Sequence, residues 1–250
     1  MYDPPAYVWA VSLVGEIGIP ATTCLVLYRG ARSAGSGRSP AALLTAVAAL
    51  ALGGWLAAST VLAAGGHYQT VLGKQPPWTA IALVATLNIL LAASRIPAVA
   101  RALASPDALG RAMLPHTFRV AAVAFLMLWA LGHMPALFAV PAALGDLAVA
   151  IQAPIVARRL ARGTGRRAAI WFTVLGLADL VVSVALGALT GYDIVHVTPV
   201  NDALAVLPIV LVPTANVPLL LALHIVSLRR LLSMSRTPER VAPQPAVAVG

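Results

Sequence analysis

Five polar side chains stand where hydrocarbon is expected. Glu16, Asn88, Asp146, Asp179 and Asn216 each fall near the middle of a long apolar run. Counted along helices that rise about 1.5 Å per residue, the five share one layer. A charge at the centre of a bilayer costs about 2.5–3.5 kcal/mol on insertion scales, so three carboxyls at that depth must bind a cation, take a proton or meet a donor. No Lys or Arg falls at that depth within the runs, which points to a site for a cation, a proton or a polar solute. Glu16 and Asp146 each follow a glycine and lead the candidates, with Asp179 and Asn216 supporting. For Asn88 and Asn216 a simple interhelical hydrogen bond, worth about 0.6 kcal/mol, is the plainer expectation.

A second set is weaker. His67, His133 and His196, with Asp193 close by, map to one end of the runs and could furnish a zinc site of three His and a carboxylate. Seven-helix membrane hydrolases of the adiponectin-receptor and ceramidase type use such sets, but their His-x-x-x-His pair is absent here. His116 and His224 map to the opposite end. The single cysteine, Cys24, excludes a disulfide framework and a Cys-x-x-Cys metal site. The stretch GTGRR at 163–167 has no preceding strand and is a basic loop, not a phosphate cradle. The only lysine, Lys74, lies in a loop, which excludes retinal attachment.

The elements that must carry these residues are membrane helices. The chain is 60% hydrophobic and 10% charged, with mean hydropathy +0.89; a soluble domain is usually about 25% charged. Seven runs, roughly 8–28, 40–64, 78–94, 117–133, 137–157, 168–190 and 204–227, are each about the length that crosses a hydrocarbon core of roughly 30 Å. The expectation is an all-α bundle of seven transmembrane helices over 1–232 and an exposed, disordered tail over 233–250. Of 17 Lys and Arg residues, only Lys74 falls in the gaps at the N-terminal end of the runs. The rest, Arg119 among them, fall in the alternate gaps, which places the N-terminus outside and the C-terminus inside. The net charge of +9 is therefore a topology signal and not a nucleic-acid footprint. The strong preference for Arg over Lys, with abundant Ala, reads as a bacterial cell membrane protein from a GC-rich genome. The first run lacks a basic n-region and carries Asp3, which favours a retained helix over a cleaved signal.

Local patterns add detail. The segment 29–39 is rich in Gly and Ser and reads as a flexible loop. Ser105-Pro106-Asp107 resembles a helix start, with Ser as cap, Pro in the first position and an acid in the first turn. The seventh run carries Pro208, Pro213 and Pro218, each of which removes an amide donor and favours an irregular helix. Sliding the chain by 130 residues superposes Gly15-Glu16 on Gly145-Asp146, Arg29 on Arg159 and Leu90-Leu91-Ala92 on Leu220-Leu221-Ala222. That suggests a parallel repeat of three helices joined by one, a layout shared in topology with the SWEET sugar carriers.

The Gly-His-Met-Pro stretch at 132–135, Gly145-Asp146, Ala153-Pro154 and Pro213-Thr214 resemble a group of bacterial, mainly actinobacterial, membrane proteins to which no activity is attached. The resemblance implies a seven-helix membrane fold and nothing about chemistry. The leading expectation is a protein that binds or transports a small solute or ion at a mid-membrane carboxylate site. The alternatives are a membrane-embedded metal enzyme using the His/Asp set, and a sensor or accessory subunit whose polar layer is structural.

Overall fold

The computed structural model describes residues 3–69 and 74–234. The tail expected over 233–250 lies outside them, apart from Ser233, which closes the last helix, and Met234. Among the described residues every regular element is helical. They run α1 (Ala6–Ser33), α2 (Arg38–Ala64), α3 (Trp78–Ala93), α4 (Pro97–Ala104), α5 (Ala108–Arg111), a 3-10 segment (Leu114–Ala122), α6 (Val123–Ala130), α7 (Ala136–Ala161) and α8 (Arg166–Gly191). A short 3-10 turn (Asp202–Ala205) and a π-helical stretch (Val212–Asn216) then lead into α9 (Val217–Ser233). Six stretches are long and apolar enough to cross a membrane, counting Ala108–Ala130 and Val212–Ser233 as one each. The pair α3 and α4 would make a seventh, but it bends by 80° at their junction.

The surface fits an apolar solvent. Only 6% of the most apolar window of α2 is buried, and Leu43, Leu50 and Val61 on it are largely exposed. A bare leucine and valine face of that extent would drive aggregation in water.

Three expectations about local structure change. The loop at 29–39 is short: α1 continues through Arg29 and Arg32 to Ser33, and α2 resumes at Arg38. The Ser105 hydroxyl caps no helix and has no partner, and the Asp107 side chain, instead of capping α5, pairs with Arg111 one turn on. Most consequentially, the membrane-length stretch expected from about residue 117 begins at Ala108. Its entry is nine residues of 3-10 helix, far longer than the usual three or four. Three residues per turn align His116, Arg119 and Ala122, and all three are buried. Arg119 is therefore no loop residue; it lies inside the bundle.

α1 and α7 begin at Ala6 and Ala136, the 130-residue offset seen in the sequence. Both pack against the 3-10 segment, so the two helices carrying Gly-Glu and Gly-Asp flank one central element. α1 also meets α4 closely. A methyl at Gly30 would lie 2.3 Å from the carbonyl oxygen of Ala102 and 2.9 Å from its carbon. Backbone cannot swing aside, so Gly30→Ala should destabilise the protein by about 1–3 kcal/mol through overpacking. Thermal unfolding in detergent measures this. Gly53→Ala, which meets open space in α2, is the control and should be neutral or slightly stabilising.

Candidate binding site at a buried arginine

The 3-10 segment carries the Arg119 side chain into the bundle, where it is 1% exposed. Its Nε donates to Asp146 on α7 and one Nη donates to Asp179 on α8, both at short range. One guanidinium thus bridges two carboxylates from two helices. Gly145 makes the bridge possible. A Cβ there would sit 1.7 Å from the Asp179 Oδ1, so the glycine leaves the space through which Asp179 reaches Arg119. The two carboxylates are less enclosed than the arginine, at 13% and 16% exposure, and Asp146 borders open space.

That space is a cavity of about 830 Å³. Asp146 lies on its floor, with Phe125, Phe138, Leu180, Val184 and Val212 among its largely apolar walls. Its mouth lies among the loops at the N-terminal end, where His133, Tyr192 and Asp202 line it. A large apolar pocket with a few convergent polar groups is the usual form of a small-molecule site.

Glu16 and Asn216 form the adjoining part. Asn216 Nδ2 donates to Glu16 Oε2 at 2.9 Å, joining α1 to the π-helical stretch across 200 residues of sequence. Pro218 removes the donor that Thr214 O would otherwise receive, and Trp55 Nε1 fills that place at 2.9 Å. Thr214 Oγ1 also bonds Ser59, which bonds Tyr68 at the cavity wall. Neighbouring helices therefore satisfy the irregular backbone, as a membrane span requires.

Of the five residues singled out in the sequence, the structure brings four around Arg119: Glu16, Asp146, Asp179 and Asn216. Asn88 does not join them; it is exposed, and its amide donates back to Val84 O on its own helix. The expectation that the acids lack a basic partner is overturned, because the 3-10 entry draws Arg119 into the span. The proposed metal set does not converge. Among the described residues no three of His, Cys, Asp and Glu are placed to hold a metal ion. His67 turns to Leu62 O on its own chain segment, His133 lines the cavity mouth, and His196 pairs with Asp193 in its own exposed loop at 2.8 Å.

The sequence places His116 and His224 at the inner end of the runs, opposite His67, His133 and His196. Both are buried, with ring centroids 3.9 Å apart and Phe172 5.6 Å from each. Gly176 gives His224 its room, since a Cβ there would lie 2.5 Å from Nε2. The signal for this pair and for Arg119 was present as the spacing His116-x-x-Arg119, which a 3-10 period places on one face.

Residues 76–232 match a family described as a domain of unknown function, DUF8737. The chain belongs to that family. The matched stretch holds Arg119, Asp146, Asp179, Asn216 and both buried histidines, whereas Glu16 lies before it. No curated protein and no solved structure matches the chain.

Two measurements check this geometry. Arg119→Met leaves two enclosed carboxylates uncompensated and should cost about 3–5 kcal/mol of stability. Adding Asp146→Asn and Asp179→Asn to it should recover most of that loss, read as unfolding midpoints in detergent. In the exposed loop, the hydrogen bond and charge of Asp193 raise the His196 pKa above its ordinary 6.5. The pair's small stabilisation is thus present below the ordinary histidine pKa and lost as pH rises through the raised one. NMR titration should show the raised value, and Asp193→Asn should return it to the ordinary range.

Proposed function

We propose that this chain is a seven-span protein of the bacterial cell membrane that binds a small cationic or hydrogen-bond-donating solute and moves it between the two sides. The observation that carries the reading is the cavity of about 830 Å³ that ends on the carboxylate of Asp146. Asp146 and Asp179 together outweigh Arg119 by one formal negative charge, so the floor favours a cation or a donor over an anion. The apolar walls suit a solute with a hydrocarbon body. In this reading the bent pair α3 and α4 is the remaining span. The N-terminus and the cavity mouth face outward, and the arginine-rich loops face the cytoplasm, as the retention of positive charge favours.

The irregular segments supply the moving parts. Long 3-10 stretches and π-bulges mark hinges and functional sites in helices. Here one carries Arg119 and the other carries Asn216, on either side of the acids. Transporters commonly place their sites near the bilayer midplane, between repeats and beside discontinuous helices. α1 and α7, offset by 130 residues and flanking the fourth span, fit that plan.

A thermal-shift screen of small amines, quaternary ammonium compounds, neutral analogues and carboxylates against the purified protein tests the binding claim. Stabilisers should come from the cations, with a gain of about 2.7 kcal/mol at a hundredfold excess over the dissociation constant. The gain should vanish in Asp146→Asn. Stabilisation by carboxylates alone, or an undiminished effect in Asp146→Asn, would refute it. Topology is tested separately by single cysteines in a Cys24→Ala background. A membrane-impermeant maleimide should label position 196 on intact cells and label position 164 only after lysis.

A further inference from the structure

A second, much smaller cavity of about 40 Å³ shares part of its wall with the first and is bordered by Ser12, Glu16, Arg119, Asp146 and Asn216. Three polar atoms on its wall are buried without a protein partner: Ser12 Oγ, Glu16 Oε1 and one Nη of Arg119. A buried water needs about 10–15 Å³ of such space and makes about three hydrogen bonds, so both the volume and the three atoms suit a water site. Asp146 borders this cavity and the large one alike. Phe125, Leu180, Val212 and Val217 also border both, so Asp146 is the one ionisable residue shared by the two cavities.

We propose that Glu16 is a proton-binding site served from the vestibule through Asp146 and water held in the small cavity. A proton from the vestibule adds to the Asp146 carboxylate. Asp146 then passes a proton to the held water while that water gives one to Glu16 Oε1, so one O–H bond forms at Glu16 and the water is restored. The charged and polar groups facing Glu16 are Arg119 on the 3-10 segment, Asp146 on α7, Asn216 on the π-helical stretch and Ser12 on its own helix. Asn216 holds Oε2 and leaves Oε1 turned to the water. This role rests on the transport reading for its purpose, naming the proton as coupling ion, but the site can be tested with no solute at all.

The chain has two glutamates, Glu16 and Glu239. In a Glu239→Gln background, carbon-13 labelling of glutamate therefore reports on Glu16 alone. Infrared spectra of this protein in lipid, taken through a pH series, should show the C=O stretch of a neutral carboxyl at low pH. The band should shift with the label, and it should shift again on mixing with D₂O. Ser12→Val keeps Glu16 but fills the water site; it should slow the D₂O shift by about tenfold, the factor for about 1.4 kcal/mol of added barrier. Asp146→Asn should slow it as well. A label-insensitive band, a band that ignores D₂O, or unchanged exchange in Ser12→Val and Asp146→Asn would overturn the proposal. Failure of the solute screen alone would leave these spectra unaffected, so the two readings fail separately.

Discussion

The bridge from Arg119 to Asp146 and Asp179 is the contact on which the rest of the interior depends. An ion buried in a low-dielectric interior costs several kcal/mol, and an opposite charge repays this only with close geometry and further hydrogen bonds. That demand organises the neighbourhood. Gly145 lacks a side chain so that Asp179 can reach across. Gly15 and Gly18 let α1 lie against Ala121 and Phe118, which brings Glu16 beside the same guanidinium. Three helices and the 3-10 segment meet at one point because one cation sits there.

The same bridge accounts for where the backbone departs from α geometry. A regular α-helix through 114–122 would place His116 and Arg119 about 300° apart in rotation, which leaves them roughly 60° off a common line. Three residues per turn puts them on one face, the face that is buried. On the opposite side, the prolines at 213 and 218 remove donors from the last membrane-length stretch, and the π-helical turn sets Asn216 toward Glu16. The irregularities are stable because Trp55 and Ser59 of α2 complete the hydrogen bonds. α2 is thus a scaffold: its exposed face meets the apolar surroundings while a few polar atoms hold the π-helical stretch in place.

Much of the architecture was legible in the sequence, since long apolar runs and alternating basic gaps report directly on helices and their connections. The layer of Glu16, Asp146, Asp179 and Asn216 was legible for the same reason, because a charge inside an apolar run is an exception that needs a partner. Arg119 was not. It stands at the start of an apolar run and follows a stretch with His116 and Pro115, which reads as a loop by polarity alone. Only the 3-10 entry, with its tighter period and its start at Ala108, carries it inward. Asn88 shows the opposite error: depth along a run says nothing of facing, and an asparagine can satisfy itself on Val84 O while turned outward. The scattered histidines failed as a metal set because shared depth does not bring separate loops together.

The polar interior is open toward one end and closed toward the other. On the cavity side, Asp146 lines the open space and keeps 13% of its side chain exposed. On the side of the basic loops, Met113, Phe172 and the stacked His116 and His224 seal the bundle. That seal is imperfect in a specific way: Nδ1 of His116 and both ring nitrogens of His224 have no partner. Each such group costs about 1–3 kcal/mol relative to a satisfied one. A plug of hydrocarbon would close the same end at no such cost. The two rings pack on each other and on one phenylalanine, with Gly176 leaving them room. Under the transport reading, the arginine bridge fixes the site while this histidine pair makes the far end the easier one to release.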